Sequence, residues 1–334
     1  MRSGVVMLIL SGLSNQVGAG VGAHAFPAIG PAGVVAVRQF VAAAVLLPVA
    51  RPSLRRMSWA QWWPALLLAA VFAVMNLSLY TAIDRIGLGL AVTLEFLGPL
   101  AVALAGSRSR LDLLTAAGAG VGVYVLVLPG PSSDYLGLCL ALLAAACWAV
   151  YILLNRLAGT RLPGLQAPAV ASGLSALAYL PVLAVLVAQG RMTGMPLLYA
   201  LGTGVLSSVI PYAVDLTALR YVPQRLFGVF MSMHPVLAGL AGMVLLGQLL
   251  GLHEWVGIAI VVAANAAAVT AAAPHPASSR RSPAQLRTRT GSSQPGTVTV
   301  AGTHEDREAY RANLAVGPEG FRLMRTTIRN ELPR

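Results

Sequence analysis

Ten apolar runs, near 4–23, 32–50, 61–83, 88–106, 111–128, 136–155, 166–188, 196–217, 226–247 and 252–272, follow one another with only short connections. A stretch of about 20 mostly apolar residues crosses the hydrocarbon core of a bilayer as a helix. Lipid offers the backbone no hydrogen-bond partners, so each crossing must satisfy its own N–H and C=O groups. The chain is therefore expected to fold as an all-α polytopic membrane protein of ten transmembrane helices. Composition agrees: charged residues make up 10 % of the 334, against about 25 % in a soluble domain.

All 23 basic residues are arginine and the net charge is +12. Arg2, Arg51, Arg55, Arg56, Arg108, Arg110, Arg156, Arg161, Arg220 and Arg225 fall on one side of the ten crossings, with the C-terminal tail. The opposite loops hold only Arg85 and Arg191. Arginine-rich loops stay cytoplasmic, so both termini are expected inside. The positive balance then reads as topology and headgroup signals, and no nucleic-acid partner is expected. Cys139 and Cys147 share one apolar run, which points to neither a disulfide framework nor a metal site, and no cofactor is indicated. The basic start, apolar stretch and "GAHA" ending would also suit a signal peptide, but the repeat described next needs this segment as a permanent helix.

"LYTAIDRIGLGLAVTLEFLGPLAVAL" (79–104) can be laid on "VDLTALRYVPQRLFGVFMSMHPVLAGL" (214–240) at a constant offset of 136, which superposes Thr81 on Thr217 and Pro99 on Pro235. Five helices per half is an odd number, so the halves lie in opposite orientations, the pattern of secondary transporters with a site at the repeat interface. The expected organisation is a first five-helix repeat at 1–130, a second at 131–272 and a tail at 273–334. The tail, rich in Pro, Ser, Gly and Arg, reads as disordered, with short amphipathic helices at 304–315 and 321–332. Ten arginines against five acids give it +5, which suits an anionic leaflet; a plain cytoplasmic tail is the alternative.

Against this apolar background the buried polar residues stand out. Glu95 lies roughly 10 Å below the outer end of the fourth helix at 1.5 Å per residue, with Arg38, Asn76, Asn15 and Gln16 at similar depth on three other helices. A charge inside a membrane costs about 2.5–3.5 kcal/mol on insertion scales and is kept when paired or lining a hydrated cavity. Glu95 and Arg38 are expected to be partners, as a functional site or as a structural clip. Pro99 displaces the carbonyl four residues earlier, weakening the helix at Glu95. Trp148 and Tyr151 share a helix face and either wall a cavity, stack on a cation or pack helices. Tyr212 occupies the repeat position of Asn76, while Asp215 reads as interfacial. "GAGVG" (18–22) has no preceding strand and reads as a close helix contact.

"GPAGVVAVRQ" (30–39), "VTLEFLGPLAVAL" (92–104), "ACWAVYILLNRLAG" (146–159), "VIPYAVDLTALRYVP" (209–223) and "RLFGVFMSMHPVLAGLAGMVLLGQ" (225–248) resemble, in order, EamA-type members of the drug/metabolite transporter superfamily, most closely bacterial threonine/homoserine exporters. The resemblance covers most of residues 1–272 and leaves out the tail. It implies an exporter in the bacterial inner membrane, built from two inverted halves, that moves amino acids or similar metabolites by alternating access in exchange for protons. Arg38, Glu95, Trp148, Tyr151 and the pair Pro211–Tyr212 match the family pattern. Two positions depart from it. "MSMHP" puts His234 where the family has glutamate, and "LGQ" puts Gln248 where it has another. Histidine still titrates near neutrality; glutamine does not.

The expected partners are a small-molecule substrate, protons and the bilayer, with a homodimer and anionic-lipid contact by the tail left open. Alternatives are the same fold exporting a nucleobase, a nucleotide-sugar-like metabolite or a drug, or a membrane scaffold acting through its tail. No clustered ligands, serine–histidine pairing or phosphate loop stands at a spacing that would suit an enzyme.

Overall fold

Helix accounts for every regular element among the described residues, and no strand occurs there. The computed structural model describes residues 2–105, 110–128, 134–162, 165–211, 213–214 and 224–272. The tail at 273–334 and Asp215 lie outside them.

The elements are α1 (Arg2–Ala23), α2 (Phe26–Ala50), a 3₁₀ turn (Leu54–Arg56), α3 (Trp59–Ile86), α4 (Leu88–Glu95), α5 (Leu97–Ala105), α6 (Arg110–Val127), α7 (Tyr135–Gly159), α8 (Gln166–Ala178), α9 (Leu180–Ala188), α10 (Gly194–Gly204), a π turn (Val205–Val209), α11 (Gln224–Met231), α12 (His234–Leu246) and α13 (Leu252–Ala272). Among the described residues seven spans are long and apolar enough to cross a membrane, and eight if the bent pair α8–α9 is one crossing. Shorter apolar helices, Leu113–Val127 and Gly194–Val209, fall on the remaining two expected segments. The protein is a multi-pass membrane protein.

Local chemistry sets the ends. Ser58 and Gln61 form a reciprocal capping box at the start of α3, the Gln61 Oε1 accepting from the Ser58 N–H at 3.0 Å. Asp134 caps α7 by accepting from the Gly137 N–H at 2.9 Å. That bond and the Arg85 guanidinium hold its carboxyl below the usual range, so the cap strengthens above the ordinary aspartate pKa and weakens as the carboxylate is protonated. The Arg85–Asp134 pair itself, 2.9 Å apart, is solvent-exposed and contributes little.

Several helices are interrupted inside the bundle, and prolines mark four of the places, among them Tyr179 between α8 and α9, two residues before Pro181. Gly30, at φ +68°, kinks α2 just before Pro31. Phe96 separates α4 from α5, three residues before Pro99. Ser232 and Met233 separate α11 from α12, whose second residue is Pro235. The α4 and α11 ends, Glu95 and Met231, stand 136 residues apart, as do the α1 and α7 ends, Ala23 and Gly159.

Packing has the same reciprocity. α3 packs on α7 and α1 on α10; α3 packs on α8 and α2 on α10; α4 and α5 pack on α7, and α1 packs on α11 and α12. α2 meets α8, α4 meets α12, and α6 meets α13. Small residues allow these approaches. A side chain at Gly18 would run into Ser207 Oγ and, at Gly20, would lie 2.8 Å from Leu245 Cδ1, so "GAGVG" does serve close contact. Gly98 faces the Ala145 carbonyl with no room for a Cβ, and Trp148 Cβ would lie 3.2 Å away. Gly98→Ala is therefore expected to cost about 1–3 kcal/mol, measured as a lower thermal midpoint of the purified protein in detergent.

Candidate functional site

One polar cavity of about 240 Å³ opens within the bundle. α1 lines it with Ser11, Asn15 and Gln16, and α3 with Phe72, Asn76, Tyr80 and Ile83. Both sets recur at helical spacing, so each comes from one face. α2 contributes Arg38, α4 contributes Glu95 with Phe96 just beyond, α7 contributes Trp148 and Tyr151, and α12 contributes His234. The structure thus brings Asn15, Gln16, Arg38, Asn76, Glu95, Trp148, Tyr151 and His234 to one space. Tyr212 lies outside the described residues.

Arg38 is the most tightly held of these. Its Nη1 donates to Asn76 Oδ1 at 2.6 Å, its Nε to Ser208 Oγ at 3.1 Å and its Nη2 to the Ser207 carbonyl at 3.1 Å. Asn76 is oriented in turn by donating from Nδ2 to the Phe72 carbonyl at 2.7 Å. The Tyr80 ring lies 5.3 Å from the guanidinium carbon, a cation–π distance. A guanidinium has five N–H donors; three are placed on neutral acceptors.

Glu95 is buried, 7 % exposed, at the end of α4. The expected Arg38–Glu95 pair does not form: among the described residues Glu95 makes neither an ion pair nor a hydrogen bond. The reason is local. Asn76 and the π turn supply the acceptors that Arg38 uses, leaving the two charges on the same cavity without contact. Glu95 thus stands at a helix break and on a cavity wall, without an ion pair or hydrogen bond among the described residues.

The second half supplies the aromatic wall. Trp148 meets Phe96 edge to face at 4.7 Å, and Tyr151 stacks on Phe72 at 5.9 Å. His234 lies 5.5 Å from the Phe96 ring. Its Nδ1 is 3.2 Å from Gln16 Nε2; with the amide donating, Nδ1 accepts and Nε2 carries the proton. This contact clips α12 to α1, and Gly12 makes room for it, since a Cβ there would lie 3.1 Å from His234 Nε2.

Gln248, the second departure from the family pattern, is not on the cavity wall. Its Oε1 accepts the Leu88 N–H at 3.0 Å and so caps α4 from beyond α12. Gly87 and Gly242 leave space for the amide. Either a carboxylate or a carboxamide oxygen performs this task. Gln248→Glu is expected to keep the thermal midpoint, while Gln248→Leu lowers it by about 1–2 kcal/mol of stability; equal midpoints for all three proteins would contradict the capping role.

Sequence reading missed Ser207 and Ser208. Their signal is a serine pair inside an apolar run, but what aims them at Arg38 is the π turn Val205–Val209. Such turns shift backbone register at functional sites. Ser207 Oγ also donates to the Asn15 carbonyl at 2.8 Å, and Ser14 Oγ to the Leu206 carbonyl at 2.8 Å, fixing α1 against the turn. Tyr80, 1 % exposed, was missed as well. Its hydroxyl has no hydrogen-bond partner among the described residues.

Comparison with known proteins adds a family and a fold. Residues 135–270 match the model of the EamA-like transporter family. The threonine/homoserine exporter RhtA of Escherichia coli (strain K12) is 34 % identical over 264 residues, which cover 78 % of this chain and 89 % of that protein. The exporter of the same name from Salmonella typhimurium (strain LT2) is similar to the same extent. A solved crystal structure superposes with a TM-score of 0.52 over 81 % of this chain and 98 % of its own, at 18 % identity, a likeness of fold.

Proposed function

We infer the function from one premise: this chain belongs to the EamA-like transporter family. It is a membrane transporter and not an enzyme. We propose that it exports small metabolites, most specifically amino acids such as threonine and homoserine, in exchange for protons across the bacterial inner membrane. The activity for which the two relatives are named supports the cargo. The observation that carries the reading is the cavity itself, which holds one guanidinium fixed by hydrogen bonds and one carboxyl group that makes neither an ion pair nor a hydrogen bond among the described residues.

A zwitterionic amino acid complements both groups. Its carboxylate meets the two N–H donors that Arg38 has left, and its ammonium meets Glu95. Charge-assisted bonds of this kind are roughly twice as strong as neutral ones. Asn15 offers a further polar contact, and Trp148, Tyr151 and Phe96 enclose the side chain. The cavity, about 240 Å³, lies below the roughly 300–1,000 Å³ that hold drug-sized ligands, which favours a small metabolite. Glu95 then alternates between the substrate ammonium and a proton, so that each cargo molecule leaving is matched by a proton entering. His234, tied to Gln16, is the second titratable group of the cavity.

The architecture proposed is ten crossings in two inverted five-helix repeats, 1–130 and 131–272, with both termini cytoplasmic. The shared break positions 136 residues apart and the reciprocal helix contacts support the repeat. The arginine asymmetry supports the orientation. The test is uptake of labelled homoserine or threonine into proteoliposomes of checked orientation, with and without an imposed pH gradient. Gradient-stimulated uptake, competed by either unlabelled amino acid, is expected. Folded protein that moves neither, while moving another class of metabolite, would overturn the cargo.

A further inference from the structure

A second cavity lies apart from the first and has the opposite chemistry. Its volume is about 470 Å³, close to twice that of the polar cavity, and its walls are apolar throughout. α2 provides Phe40, Ala44 and Pro48, α3 provides Trp62, and α8 provides Gly173 and Leu177. Several of these are exposed at the rim, Leu177 by 61 %, so the groove opens on the lipid-facing side of the bundle.

One end of this groove meets a cluster of positive charge. Arg51 follows α2 directly and donates from Nε to the carbonyl of Pro48, itself a wall residue, at 3.3 Å. Leu54, another wall residue, opens the 3₁₀ turn whose next two residues are Arg55 and Arg56. All three arginines are exposed. Among the described residues none of the three is in an ion pair, and the sequence holds no carboxylate in residues 1–83 or 135–214. Trp59, 72 % exposed at the start of α3, adds an amphipathic ring at the level where headgroups meet the hydrocarbon.

We propose that this groove is a binding site for one anionic phospholipid. An acyl chain fills the apolar slot between α2, α3 and α8, and the phosphate lies against Arg51, Arg55 and Arg56. Basic pockets between membrane helices on the cytoplasmic side bind anionic headgroups in this way. The lipid would bridge α2 and α8, a contact between the two halves of the bundle, and so brace α2, which carries Arg38 into the polar cavity, without touching that cavity's polar residues.

Native mass spectrometry of the purified full-length protein tests this, titrating palmitoyl-oleoyl phosphatidylglycerol or phosphatidylcholine into the same detergent. Wild type should retain one phosphatidylglycerol with roughly tenfold or greater preference over phosphatidylcholine. Arg51→Gln, Arg55→Gln and Arg56→Gln together should erase the preference and leave the thermal midpoint in lipid-free detergent unchanged. Ala44→Phe, at an exposed wall position, should weaken retention of both lipids by filling the slot. Equal retention of the two lipids by wild type, or a preference that survives the triple substitution, would overturn the proposal. A dimer that forms through this face and excludes lipid would also overturn it.

Discussion

Glu95→Gln is expected to reduce pH-gradient-driven exchange to background while protein level and thermal midpoint stay at or above wild type. The stability half of this result follows from geometry. A buried carboxylate without an ion pair or hydrogen bond gains little from the fold, so a neutral isostere costs the fold nothing. The transport half follows from the proposed role: glutamine keeps the shape and an oxygen acceptor, but it neither binds a proton nor carries the charge an ammonium requires. Losing a charged hydrogen-bond partner costs about 1.5–3 kcal/mol, or roughly ten- to a hundredfold in substrate affinity. Substrate-for-substrate counterflow without a gradient should therefore persist at a higher substrate concentration. A variant that still concentrates substrate against its gradient would remove Glu95 from the coupling.

The second large effect is expected at Arg38. Arg38→Lys should lower transport at least tenfold, chiefly by raising KM, because an ammonium cannot reproduce a planar fork that bonds Asn76, Ser208 and the Ser207 carbonyl at once. Arg38→Gln should go further. It leaves Asn76 Oδ1 and the Ser207 carbonyl unsatisfied in a buried setting, with an expected loss of about 2–4 kcal/mol in stability. Proteoliposome kinetics for the lysine variant and thermal unfolding in detergent for both check these outcomes. A lysine variant with wild-type KM would mean that Arg38 is a structural clip only.

How much of this was legible in the sequence depends on the range of the interaction involved. The helical segments follow from runs of apolar residues, a local property that the bilayer turns into secondary structure. The break after Glu95 was legible too, because a proline acts on the carbonyl four residues before it, and Pro99 does so here. The gathering of Asn15, Gln16, Arg38, Asn76 and Glu95 was visible as a common depth. Their bonding was not. Charge complementarity suggested an Arg38–Glu95 pair, whereas the structure gives Arg38 to Asn76 and to a π turn whose register no local pattern announces. Gln248 shows the same limit from the other side. A lost glutamate suggests lost chemistry, but the position proves to be a helix cap from across the bundle, where only an acceptor oxygen is needed.

The most direct test of the coupling is the release of protons on substrate binding. Adding homoserine or threonine to purified protein in weakly buffered detergent, with a pH-sensitive dye, should acidify the solution at a pH where Glu95 is protonated in the empty cavity. The release should approach one proton per bound substrate, and Glu95→Gln should show none while still binding at higher concentration. Substrate binding with no proton release, or release that persists in Glu95→Gln, would contradict exchange at this carboxylate.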